Sequence, residues 1–206
     1  MAALQGAGRA LAEVKVAAIS PERPPFEGGR SFFQSSHMLA EILVIVALPL
    51  LLAAAAGWDL ASFTIPNFLT LAFPAVFAIF AIAAGLSYPV IGWHLLAGTI
   101  GLLIGFMLFA LGYIGGGDAK LFAAVALWLG LKDMLSFALL ASVMGGFLTL
   151  GLLFLRQYPL PAFLTRQNWI VKLHDPRSGV PYGVALAAGA FFLLPSTEIF
   201  RFAAAA

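Results

Sequence analysis

Long apolar runs with brief polar punctuation make up most of this chain beyond residue 38. Between residues 60 and 117 there is no Lys, Arg, Asp or Glu, and His94 is the only potentially charged side chain. A stretch of that kind is bilayer material rather than the core of a soluble domain. The pattern predicts an all-α, polytopic membrane protein with six transmembrane helices, at about 39–57, 68–84, 90–111, 118–131, 134–155 and 180–197. Pro66, Pro74, Pro89 and the turn Gly85-Leu86-Ser87-Tyr88 punctuate them. Residues 1–38 carry charges of both signs and are broken by Pro21, Pro24, Pro25, Gly28 and Gly29, which predicts a flexible tail ahead of a membrane domain at 39–200. The tail lacks the order of basic start, apolar run and small-residue site that marks a cleavable signal, so the first helix is expected to direct insertion.

The fourth helix stands apart, because Lys132 and Asp133 follow only fourteen residues after Asp118. At ~1.5 Å per residue that length covers roughly 21 Å, against a hydrocarbon core of about 30 Å. Two readings stand. In one, Gly115, Gly116 and Gly117 form irregular backbone sunk below the surface, where it lines a wet cavity, and Asp118 faces that cavity from the helix N-terminus. In the other, the helix continues through Lys132 and Asp133 with snorkelling side chains.

Six helices put Asp59 and Asp118 on one side of the membrane, together with the loop from Arg156 to about residue 179. Five basic residues, Lys120, Arg156, Arg166, Lys172 and Arg177, lie on that side, and four, Arg23, Arg30, Lys132 and Arg201, on the other. The positive-inside rule prefers the aspartate face in the cytoplasm by that margin alone.

Composition agrees with the membrane reading and removes several chemistries. Hydrophobic residues make up 62% of the 206, charged residues 10%, and the mean hydropathy is +1.01. The net charge of +2 is scattered, so nucleic acid has no electrostatic footprint here. Zero cysteines exclude disulfides, Cys-ligated zinc, iron–sulfur clusters and thiol catalysis. The histidines, His37, His94 and His174, have no close ligand spacing, and no metal or other cofactor is expected. What remains is the pair of acids: a carboxylate near hydrocarbon is a functional-site candidate, and two of them point to shared acid/base chemistry.

Asp59 stands in Trp-Asp-Leu-Ala-Ser-Phe-Thr-Ile-Pro-Asn, and Asp118 in Tyr-Ile-Gly-Gly-Gly-Asp-Ala-Lys-Leu. These resemble the two aspartate motifs of the type IV prepilin peptidases, an Asp followed by Ile-Pro-Asn and a Gly-x-Gly-Asp. Pro181-Tyr182-Gly183-Val184-Ala185 resembles a third segment typical of the short members. The resemblance covers roughly residues 39–200. It implies an aspartic endopeptidase at the cytoplasmic face of the bacterial inner membrane, cutting the basic leader from prepilins before pilus assembly. Two nearby carboxylates do not both ionise easily; the ionised one would activate water and the protonated one polarise the scissile carbonyl. The dyad titrates as one coupled unit, and either residue could hold the proton.

The chain departs from the longer family members, which resemble a fusion with a zinc-binding segment built on Cys pairs and linked to N-methylation. Its lack of cysteine implies cleavage without methylation, as in short forms associated with tight-adherence (Flp-type) pili. The tail is longer than a short member is expected to carry.

Each residue also has a plainer role. Asp59 is the type of residue found at helix ends, and Asp118 is a common helix cap. Lys120 either snorkels or acts on the dyad or the substrate backbone. Ile65, Pro66 and Asn67 would stop a loop and start helix two, with Asn67 as its cap. Gly101 and Gly105 form a GxxxG that favours close helix packing, and Ser87 is read as a core or interface residue. Two other classes remain open, a small proton-coupled transporter and a non-catalytic scaffold of a pilus or secretion system.

Overall fold

The computed structural model describes the backbone of residues 27–204 and the side-chain surroundings of residues 35–203. The described part is all-helical. Helix α1 (Glu27–Ile42) runs through a π-helical turn (Leu43–Ala47) into α2 (Leu48–Ser62). Pro49 explains the turn: it has no N–H to give the carbonyl four residues back, and one wider turn makes room for its ring. Then follow α3 (Asn67–Ala83), α4 (Tyr88–Ala110) and α5 (Gly116–Leu155), with a short α6 (Asn168–His174) in the long loop. Helix α7 (Tyr182–Leu193) passes through a 3-10 turn to α8 (Glu198–Ala204).

The helix at Glu27 starts inside the segment read as tail, residues 1–26 of which lie outside the described residues. Ser35–Ser62, Tyr88–Ala110 and Gly116–Leu155 are each long and apolar enough to cross a membrane, whereas Asn67–Ala83 and Tyr182–Ser196 are shorter. The protein is an integral membrane protein.

Helix α5 breaks at Gly130, whose φ of 76° and ψ of 175° divide it into limbs at 116–129 and 131–155. The break falls before Lys132 and Asp133, so the short helix does not continue through them. Its shortness has a packing origin. From Asp118 to Gly130 the first limb is buried except at Lys120 and, partly, Phe122, so it is sheathed by other helices and need not match the bilayer. On one side Gly98, Gly101 and Gly105 of α4 face it so closely that added Cβ atoms would lie 2.9–3.0 Å from Leu127, Ala126 and Ala119. The GxxxG of the sequence therefore packs two helices of one chain. On another side the Trp128 indole sits against Phe77 and Phe80, centroids 5.4 and 5.5 Å away, and donates to the Phe73 carbonyl at 3.0 Å. Helix α7 packs along the second limb, with Gly189 against the Ala141 backbone.

The break is sealed by His94, whose Nδ1–H donates to the Leu127 carbonyl at 2.8 Å. That carbonyl belongs to the last turn of the limb and would otherwise lack a partner. On the same side Lys132 pairs with Glu198 at 2.6 Å and holds its carboxyl below the usual range.

The backbone angles of Gly130 belong to a region open essentially to glycine, and a Cβ there would also lie 3.3 Å from the His94 ring. Gly130→Ala is therefore expected to destabilise the protein by about 1–3 kcal/mol. Gly57→Ala, where a Cβ meets nothing within 4 Å, is expected to be neutral or mildly stabilising. Thermal unfolding of both in detergent checks the contrast.

Candidate active site

Helix α2 ends three residues past Asp59. The Phe63 N–H closes its last turn on the Asp59 carbonyl at 2.7 Å, and Phe63 itself adopts the left-handed conformation at φ 59°. A non-glycine residue in that conformation needs support from outside. Lys172 of α6 supplies it, donating to the Ser62 carbonyl at 2.9 Å with its ammonium 4.9 Å from the Phe63 ring centroid. Arg156 in turn holds the loop, through two donations to the Leu173 carbonyl and one to that of Gly179. The reversal at Phe63 returns Ile65 to the interior. There it wedges between Gly117 and Gly183, at which added Cβ atoms would stand 3.2 and 2.8 Å from its side chain.

The Asp59 carboxylate meets the first turn of α7. Pro181 is its N-cap and makes no side-chain cap, so the turn's free N–H groups look elsewhere. Asp59 takes one of them: Gly183 donates to its Oδ2 at 2.7 Å. The positive end of α7 is thus capped by an acid from another helix. Gly183 has no side chain because none fits, as a Cβ would lie 2.8 Å from Asp59 Oδ2.

Asp118 occupies the first turn of α5. Its Oδ2 accepts the N–H of Gly115 at 3.2 Å, the backbone half of a capping box. It is also near enough to Asp59 and to the Gly183 amide for both to act on its charge. Asp59 and Asp118 are 4% and 8% exposed, so neither is an ordinary interfacial acid. Beside Asp118 lies a cavity of about 220 Å³ between α4, both limbs of α5 and α7, walled by Leu108, Phe122, Ser142, Tyr182 and Ala185 among others.

Of the residues singled out in the sequence, the structure brings together Asp59, Asp118, Gly115, Gly117, Pro181, Tyr182 and Gly183. The glycines act differently from expectation. Only Gly115 is irregular backbone; Gly116 and Gly117 are already helical, and Gly117 serves by admitting Ile65. Lys120 and Asn67 are elsewhere. Two residues on from Asp118, Lys120 points about 200° away around the helix, and its Nζ donates to Asn67 Oδ1 at 2.7 Å. Asn67 is accordingly the first residue of α3 rather than its cap, a position Pro66 holds.

Phe63 escaped notice in the sequence, and Ile65 was read there only as part of a loop stop, not as a wedge between two glycines. Lys172 counted there only as loop charge, and nothing local marked it as the support of the Asp59 helix end.

Residues 46–150 match the model of the type IV leader peptidase family. The matched segment holds both aspartates and stops short of Pro181-Tyr182-Gly183. No curated protein and no solved structure matches the chain. Since the match covers half of the chain and contains both Asp59 and Asp118, the chain belongs to the type IV leader peptidase family.

Proposed function

We propose that Asp59 and Asp118 form the catalytic dyad of an aspartic endopeptidase that removes the leader of Flp-type prepilins. The observation that carries this reading is a pair of buried carboxylates from distant helices, near enough for one to act on the other's charge, with Asp59 held by the Gly183 amide and Asp118 by that of Gly115. In this mechanism the dyad shares one proton between its two acids. The ionised carboxylate takes a proton from water as that water attacks the scissile carbonyl, and the protonated one donates toward the carbonyl oxygen. Breakdown of the tetrahedral adduct returns a proton to the leaving amine and restores the shared state. The Gly183 and Gly115 amides hold the carboxylates in place, and the cavity beside Asp118 receives a side chain next to the cut. Pro66, Pro181 and Tyr182 shape the surrounding backbone and wall.

Both acids lie at helix ends, in the last turn of α2 and the first of α5. That suits a water-accessible reaction at one membrane face, whereas a transporter commonly places its acids near the midplane. In our reading six helices cross the inner membrane and the dyad faces the cytoplasm, where the basic leader emerges.

Purified protein is expected to cut a Flp-type prepilin once, and mass spectrometry of the product should show loss of the leader with no added methyl group. Uncut substrate together with proton-coupled uptake would favour a transporter; a methylated product would remove the short-form assignment. A narrower test is Ser142→Phe. This exposed wall residue is remote from the dyad's hydrogen bonds, and filling the cavity there should lower kcat/KM at least tenfold at unchanged thermal stability.

A further inference from the structure

A groove of about 490 Å³ lies between α3, α4 and the first limb of α5. It lies on the face of α5 turned away from Asp118, and the peptidase reading leaves it unused. Its lining changes character along its length. Lys120, Asn67 and Thr70 stand at one end, Pro74, Leu95 and Leu127 at the other. Seven residues of helix, from 120 to 127, put the ends ~10 Å apart. Small residues, Gly98, Ala123 and Ala124, leave the floor open, while the lips, Leu71 and Leu102, are 66% and 49% exposed toward the bilayer side.

The polar end is incompletely matched. No carboxylate lines the groove. The Lys120 ammonium gives one hydrogen to the neutral Asn67 amide at 2.7 Å and has two others to place. It sits four residues, ~6 Å, inside the start of a membrane helix, where a charge without a counter-ion is unfavourable. The complement of this site has an anionic head and a slender apolar tail. The apolar stretch of the lining, with its exposed lips, suits an acyl chain.

We propose that this groove binds one anionic glycerophospholipid of the bilayer, with its phosphate against Lys120 and an acyl chain lying past Thr99 and Leu71 toward Leu127. Basic pockets between membrane helices hold lipid headgroups in this way. The proposal is independent of the peptidase reading, since it uses the opposite face of α5.

Native mass spectrometry of the full chain, purified in mild detergent and titrated with dioleoylphosphatidylglycerol or dioleoylphosphatidylcholine, tests it. Wild type is expected to retain one phosphatidylglycerol in preference to phosphatidylcholine. Lys120→Gln should lower that retention about fivefold, the loss of one cation near a phosphate, and Lys120→Arg should preserve it because either cation pairs with phosphate. Thr99→Leu, which fills the groove at an exposed position, should lower retention of both lipids. Thermal unfolding establishes that each variant is folded. Equal retention of the two lipids by wild type, or undiminished phosphatidylglycerol on both folded Lys120→Gln and Thr99→Leu, overturns the proposal. So does lipid retention unchanged in Thr99→Leu while prepilin cleavage falls, which would assign the groove to polypeptide.

Discussion

Replacing Gly183 by alanine is expected to reduce prepilin cleavage about a hundredfold while leaving the protein folded. The added Cβ would lie 2.8 Å from both Asp59 Oδ2 and Ile65 Cδ1, and 3.0 Å from Asp59 Cγ. None of these contacts is tolerable, so the Asp59 carboxylate and the tip of Ile65 must give way. Both are ends of side chains, which keeps the fold penalty to about 1–3 kcal/mol, the ordinary range for an overpacked interior. The catalytic penalty is greater, because a displacement of about 1 Å at a reacting group can reduce a rate a hundredfold. The control is Gly145→Ala. It also adds a Cβ to a packed glycine, but the nearest atom is Tyr182 Cε1 at 3.2 Å and no carboxylate is touched. Cleavage rates at matched thermal midpoints separate a moved carboxylate from a damaged fold; equal losses in the two variants would show that packing alone is being read.

The second large effect is expected at the carboxylates themselves. Asp59→Asn retains an oxygen to accept the Gly183 N–H, and Asp118→Asn retains one for Gly115, so each variant preserves the cap its parent makes. What each loses is the exchange of a proton. Positioned acid/base groups are worth roughly 10²–10⁴ in rate, and here one residue's loss disables both halves of the mechanism. Each single variant is expected to lose at least a thousandfold, and the double variant no more than either single, because groups that act as a unit are non-additive. If the two losses multiplied, the acids would be acting separately and the dyad would be wrong.

The helices were legible in the sequence because apolar runs of this length have few alternatives, and the breaks at Pro66, Pro89 and the Gly-rich segment before Asp118 are local signals. The early start of α1 at Glu27 was not. Glycine and proline density upstream argued against a helix, and short-range propensity cannot say where one resumes. The isolation of the fourth helix was visible as a short run, but its cause was not. Burial of nearly the whole limb is a property of neighbours, and the break at Gly130 gives no sign beyond one glycine among many. The acids were conspicuous against a long uncharged stretch. Gly183 was reachable only through resemblance, since its requirement comes from Asp59, 124 positions away. Lys120 is a related case. Closeness in sequence to Asp118 suggested a shared site, while the helical repeat turns the two side chains to opposite faces and gives Lys120 to Asn67.

The central claim is tested most directly by cleavage of a Flp-type prepilin, followed by gel mobility, in membranes carrying wild type, Asp59→Asn, Asp118→Asn or the double variant at matched expression. The account predicts processed pilin with wild type alone and full-length precursor in the other three lanes. Processed pilin at the wild-type level with either single variant would contradict it.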